Sequence, residues 1–266
     1  MSTQALYTAC TGMNSMQAKL DVIANNLANA ETTGFKADRA NFEDLFYRQE
    51  KYPGSQDSSG NYTPTGIAIG TGSRLQSTQS NFTQGSLQQT GNSLDLAIQG
   101  QGFFQIKDPS GTIYYTRAGN FSQNANGQIC MGSANIGRLL EPTITIPKDA
   151  TTVSVSTAGI VSYQTATSTT QQQAGTIQMA NFINPQGLLK MGENLYQETD
   201  ASGTAQTGVP GSNGFGTTQQ GSLEQSNVDP VSSLIDLITT QRAFEMNSQT
   251  IQAGNECWQT INNLIK

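Results

Sequence analysis

Two apolar repeats, one at each end of the chain, restrict the possible folds more than any other feature. Leu6, Met13, Leu20 and Leu27 recur every seven residues, with Ala9, Met16, Ile23 and Ala30 as a second row three residues on. A helix presents such an a/d seam to a helical partner. Towards the other end Leu237, Phe244, Ile251, Trp258 and Ile265 repeat at the same interval, with a weaker companion row of Leu234, Gln241, Ser248, Asn255 and Asn262. Asp229 is placed to cap that second helix and Pro230 to occupy its first position. Either stripe alone reads as the core face of a globular helix. Two of them flanking a β-rich middle read as a terminal helical pair.

The middle alternates as strands do. Leu94–Ile98, Phe103–Ile106, Ile113–Thr116, Thr143–Pro147 and Val153–Val155 carry β patterns, and Asn126-Gly127 is a hairpin signal. Gly100-Gln101-Gly102 lacks the third glycine and the following helix of a dinucleotide site and reads as a tight turn. Segments 164–174 and 199–220, rich in Gln, Thr, Ser and Gly, read as loops. Gln84–Thr90 echoes Gln220–Ser226, which predicts paired strands where the chain enters and leaves the β region. The predicted class is α+β: N- and C-terminal helices forming a coiled-coil-like pair, an inserted all-β domain and an extended β connecting arm. The predicted boundaries are 1–35 with 228–266 for the discontinuous helical core, 36–80 for the arm and 81–227 for the β domain.

Composition narrows the function. Charged residues make up 12% of the chain, about half the usual share. With a net charge of -6 and no Lys/Arg cluster, nucleic acid is not an expected partner. No apolar run approaches the roughly 20 residues that span a bilayer, so no membrane insertion is expected. The first twenty residues lack the basic, apolar and small-residue regions of a cleavable secretory signal. Histidine is absent, which removes Ser-His-Asp and Cys-His chemistry and His-ligated metals; no cofactor, metal or catalytic residue is assigned. Cys10, Cys130 and Cys257 form neither a disulfide framework nor a metal set. If the terminal helices ran antiparallel with Met1 beside Lys266, Cys10 and Cys257 would share one height, with separate buried thiols as the expected state.

One stretch is odd as a helix. Asn25, Asn26 and Asn29 crowd two turns before the break at Thr32-Thr33-Gly34-Phe35, although Asn is a poor helix former. Ala24-Asn25-Asn26-Leu27-Ala28-Asn29 followed by Thr33-Gly34-Phe35-Lys36 closely resembles the signature of bacterial flagellar rod and hook proteins. Gln101–Phe104, Tyr115–Phe121, Gly192–Tyr196 and Gln241–Asn247 are similar to further segments of that family, in order along nearly the whole chain. Within the family the pattern is most similar to distal rod subunits, through Ile67–Gly72, Gly85–Thr90 and an insert from Tyr52-Pro53-Gly54 through Pro64 to Gly66.

The resemblance implies a structural subunit, not an enzyme. Copies would polymerise helically into a rigid hollow drive shaft that carries torque from motor to hook, with the terminal helices lining the tube. The implied partners are further copies of itself, proximal rod proteins, the hook protein, the periplasmic and outer-membrane bushing rings and the flagellar type III export apparatus. The implied location is the basal body, from periplasm to outer membrane, reached without a cleaved signal. Leu6, Met13, Leu20, Ile23, Leu27, Leu237, Phe244, Ile251, Trp258 and Ile265 would form assembly contacts. Asn25, Asn26 and Asn29 would supply neutral hydrogen bonds between subunits. Gly34 would end the helix with a positive φ and Phe35 would anchor the turn. Phe42 and Phe46 resemble an export-gate element, with local packing as the other reading. A proximal rod or hook subunit is the nearest alternative; an extracellular adhesin or a hydrolase with a β domain is the alternative of another class.

Overall fold

The structure, a computed structural model, describes residues 3–54, 56, 60, 62, 64–132, 136–166, 168–212 and 214–264. The chain divides into two compact units. A helical unit comprises residues 1–28, 38–80 and 229–266, and a β unit comprises residues 29–37 and 81–228. The class is α+β, as the sequence predicts.

In the helical unit, helix α1 runs Thr3–Ala28 and helix α2 runs Pro230–Leu264. The 35 residues of α2 reach about 52 Å. Asp229 caps α2: its Oδ1 accepts the Val231 N–H at 3.1 Å and its Oδ2 accepts the Ser232 hydroxyl at 2.5 Å. The Ser232 hydroxyl and the Val231 N–H hold the Asp229 carboxyl below its ordinary range. Helix α1 packs against α2 and against an antiparallel ribbon of strands Asp38–Asp44 and Ser73–Ser80. A second ribbon pairs Tyr47–Lys51 with Ile67–Gly70 and carries the insert. In the insert, Ser55, Asp57, Ser58, Ser59, Asn61 and Thr63 lie outside the described residues.

The β unit is built on a nine-stranded sheet among the described residues. Its main path runs Leu189–Gly192, Leu195–Gln197, Ile113–Thr116, Phe103–Lys107, Leu139–Leu140, Ile129–Met131 and Phe121–Gln123. Phe104, Ile106, Leu140, Ile144, Ile146, Val161, Ile177 and Met179 fill its core, each burial contributing about 1.5–3 kcal/mol. Phe103, Tyr115, Phe182 and Tyr196 form a second cluster of edge-to-face rings. The echoed segments pair as expected: Ser222, Leu223 and Glu224 face Gln89, Gln88 and Leu87.

Two sequence expectations in this unit change. Thr143–Pro147 alternates correctly, with Ile144 and Ile146 buried, yet it makes only an isolated bridge, Thr145 to Gln128. Pro142 and Pro147 remove the donors a full ladder would need. Segments 164–174 and 199–220 are not plain loops. The first contains the end of strand Ile160–Thr165 and most of its antiparallel partner Ser168–Thr176; the second contains strands Gln206–Gly208 and Thr217–Gln220. Threonine suits a strand, and these Gln and Thr side chains can face solvent on a pleated surface.

Candidate assembly site

The helices of the helical unit run antiparallel. A Cβ on Gly12 would meet the Asn247 side chain at 3.1 Å, and one on Gly254 would meet Leu6 Cδ2 at 2.4 Å. On α1, Ala9 and Ile23 are buried and Leu6, Met13, Leu20 and Leu27 are half-buried. On α2, Leu237, Phe244 and Ile251 are half-buried, whereas Trp258 is 46% exposed; Ile265 lies outside the described residues.

The companion row of α2 differs from expectation. It is Thr240, Asn247 and Gly254, three residues after each seam residue, while Leu234 and Gln241 face outwards. Thr240 and Gly254 are buried. Small and polar side chains let the two backbones approach, a benefit that hydrophobicity alone does not reveal. The same register corrects the cysteines. With Gly12 beside Asn247, Cys10 lies level with residues near 249, about two turns from Cys257. All three thiols are free, and Cys10 and Cys257 are exposed, not buried.

The asparagines have distinct surroundings. Asn26 is 8% exposed; its Nδ2 donates to the Asp38 carbonyl at 2.7 Å and its Oδ1 accepts the Asp38 N–H at 2.9 Å. That amide holds the last turn of α1 to the ribbon as a neighbouring strand would, so its hydrogen bonds are made within the subunit. Asn25 is exposed, and Asn29 accepts the Thr32 hydroxyl at 3.2 Å. Helix α1 ends at Ala28, six residues before Gly34. Gly34, at φ +70°, instead forms the third position of a turn in which Phe35 N–H donates to Thr32 O at 3.2 Å. A Cβ there would lie 2.6 Å from Ala118 N, so glycine is required twice over. Phe35 is buried, with the Lys190 ammonium 5.3 Å from its ring centre.

Gly34 and Phe35 lead into a charged cluster that sequence reasoning missed. Lys36 and Glu224 pair at 2.5 Å with both side chains fully buried. Arg117, 4% exposed, reaches the other Glu224 oxygen at 3.4 Å, donates to Gly100 O at 2.9 Å and lies over the Phe103 ring. Lys36 also donates to Thr83 O at 2.8 Å, and Gly85 N–H donates to Glu224 at 3.0 Å. Burial pulls the Lys36 pKa below its ordinary value, with Glu224 opposing. Nearby, Asn227 accepts the Ala37 N–H at 2.8 Å and donates to Asn81 O at 2.8 Å. The entering segment 34–37, the irregular segment 81–86 and the leaving segment 222–227 are thus tied together inside the β unit. The local signal is that, in a chain so poor in charge, Lys36 and Arg117 fall within the rod-and-hook segments and Glu224 within the echoed one.

The remaining predicted positions are surface features of the helical unit. Phe42 is half-buried on Asp38–Asp44, and Phe46 is 93% exposed at the turn that follows. Tyr52 and Tyr62 are 70% and 71% exposed, and Pro53, Gly54 and Pro64 are exposed beside them. Open grooves here are lined by Glu43–Tyr47 with Arg74, and by Tyr7, Thr11, Asn14, Leu45 and Leu75. No helix among the described residues is long and apolar enough to cross a membrane.

Comparison with known proteins matches three family descriptions along the chain. Residues 6–36 match "Flagella basal body rod protein", 97–163 "Flagellar hook protein FlgE/F/G D1 domain", and 219–264 "Flagellar basal body rod FlgEFG protein C-terminal". The chain is 46% identical to the flagellar basal-body rod protein FlgG of Caulobacter vibrioides, over 98% of this chain and 99% of the relative. It is 42% identical to FlgG of Buchnera aphidicola, over 97% and 98%, and 39% identical to FlgG of Bacillus subtilis, over 98% and 98%.

Proposed function

Because the chain belongs to the flagellar basal-body rod protein family and is a structural subunit of the distal rod, we propose that its copies stack helically into a stiff hollow shaft that passes torque to the hook. The relatives are structural, so no enzymatic role is expected. The observation that carries this reading is identity spread over essentially the full length of basal-body rod proteins. A helical unit with apolar residues left uncovered along α2 supports it. A contact between two unlike faces, repeated without closure, generates a filament.

In this reading the half-buried residues of the coiled-coil-like seam pack within each copy and complete their burial against other copies, and the amides of Asn25 and Asn29 add contacts between copies without the desolvation of charge. The partners are proximal rod proteins below, the hook protein above and the bushing rings around the rod between periplasm and outer membrane. The chain leaves through the flagellar export apparatus without a cleaved signal, with Phe42 and exposed Phe46 as the gate element. The exposed insert with Tyr52, Pro53, Gly54 and Pro64 stiffens the rod as a connecting arm.

Deletion of the gene with complementation tests the reading. Deleted cells should be non-motile, with basal bodies that stop short of the hook, and the wild-type chain should restore both. Motile deleted cells with complete rods would overturn it.

A further inference from the structure

The face of α2 that α1 covers does not stop where that cover stops. Leu237, Thr240, Phe244, Asn247, Ile251 and Gly254 form the covered stripe, and at Gly254 the helix has reached Leu6, in the first turn of α1. Trp258 and Ile261 follow one and two turns later on the same face. They are 46% and 44% exposed, against 2% for Thr240, and Leu264 beyond them is 80% exposed. The stripe is therefore continuous with an interface inside the molecule and is left open.

Its chemistry selects the occupant. From Ala253 to Leu264 the one charged residue is Glu256. A helix that lies on a membrane surface carries Lys and Arg on its polar face, and a nucleic-acid surface needs the same cations; neither is present. The stripe suits a neutral, partly apolar protein surface. The chain has one of its own, a groove of about 330 Å³ beside α1 lined by Tyr7, Thr11, Leu45 and Leu75, and by Arg74, whose charge is paired with Glu43. A single copy cannot join the two. The groove extends from Tyr7 towards Ser15, whereas α2 beyond Gly254 leads past the first turn of α1 in the opposite direction.

We propose that Trp258, Ile261 and Leu264 of one copy dock in the groove lined by Tyr7, Thr11, Leu45 and Leu75 of a second copy. The two surfaces differ, so the contact is heterologous and propagates along a filament. The inference rests on the self-assembly read above and specifies which faces meet.

The test uses full-length chains in motile cells. A photo-crosslinking aromatic residue replaces Trp258 in one tagged copy, a second copy carries another tag, and isolated hook–basal bodies are irradiated and analysed by peptide mass spectrometry. Crosslinks should join position 258 to the other copy's peptides containing Tyr7–Ser15 or Leu75. A charge swap supplies the second arm. Ile261→Lys and Leu75→Glu should each lower rod incorporation at least about tenfold, because each replaces an apolar side chain of the contact by a charge with no partner across it, and the double variant should regain most of it. Crosslinks only within one chain, to the hook or another rod protein, or elsewhere on the second copy would overturn the pairing while rods still form. Equal loss in the double variant, with both units folded by hydrogen exchange, would do the same. Absence of the wild-type chain from rods would remove the self-assembly reading and this inference together.

Discussion

Asn26 holds Asp38 by both backbone groups, accepting its N–H at 2.9 Å and donating to its carbonyl at 2.7 Å. The side chain thereby fixes the angle at which the ribbon begins against the last turn of α1. Asn26→Ala removes both of these hydrogen bonds and should destabilise the helical unit by about 1–3 kcal/mol. Hydrogen exchange at the Asp38 amide should accelerate sharply, while exchange at Phe104 and Ile106 in the β unit stays unchanged. Unaltered protection at Asp38 would show that the clamp contributes nothing.

The Lys36–Glu224–Arg117 cluster makes an asymmetric prediction, since one carboxylate serves two cations. Glu224→Gln leaves both cations buried without a counter-charge and should destabilise the β unit by about 3–5 kcal/mol. Lys36→Met leaves the Arg117–Glu224 pair intact and should be markedly milder. The pH dependence has a definite sign. The folded Lys36 pKa lies below its unfolded value of 10.5, so the unfolded state binds more protons in that window. Stability from this group grows as pH rises towards 10.5 and is lost as pH falls through the lowered value. Urea unfolding of wild type and Lys36→Met against pH measures this, and parallel curves would exclude it.

Tyr115 acts oppositely at higher pH. Burial, and then the Glu198 carboxylate, push its hydroxyl from 10.0 up to about 12. Its stability contribution is intact below pH 10 and is lost as pH rises towards 12. Tyr115→Phe should flatten alkaline unfolding of the β unit across that window. A variant that unfolds along the wild-type curve would refute the assignment.

Gly119 is required by space. A Cβ there would lie 1.5 Å from the Leu96 carbonyl oxygen, which is backbone and cannot swing aside. Gly119→Ala should destabilise the β unit by about 3 kcal/mol or more. A melting temperature within a degree of wild type would show that the strand can shift at little cost.

The parts of the fold that repeat locally were the legible ones. The seven-residue period marked both helices, and the Gln84–Thr90 echo located strands that do pair, because each signal lies within one short segment. The companion row of α2 was misread because period alone permits a row three residues before or after the seam. Leu234 is the more apolar choice, yet close approach of α1 favours Thr240, Asn247 and Gly254. Lys36, Arg117 and Glu224 each lie in a recognisable motif, but their meeting is not legible: Lys36 and Glu224 lie 188 positions apart, and Arg117 lies 107 from Glu224. No local pattern links residues so distant. Asn26 stands out as unusual in a helix, but that its amide closes on Asp38 depends on the path of the chain after the helix.

Electron cryomicroscopy of hook–basal bodies, at a resolution that traces side chains, tests the central claim most directly. The expected map shows this chain in the rod segment adjoining the hook, repeated helically, with α1 and α2 of each copy packed against those of other copies. A rod built without this chain, or this chain in a closed ring with its helices in no contact with other copies, would contradict it.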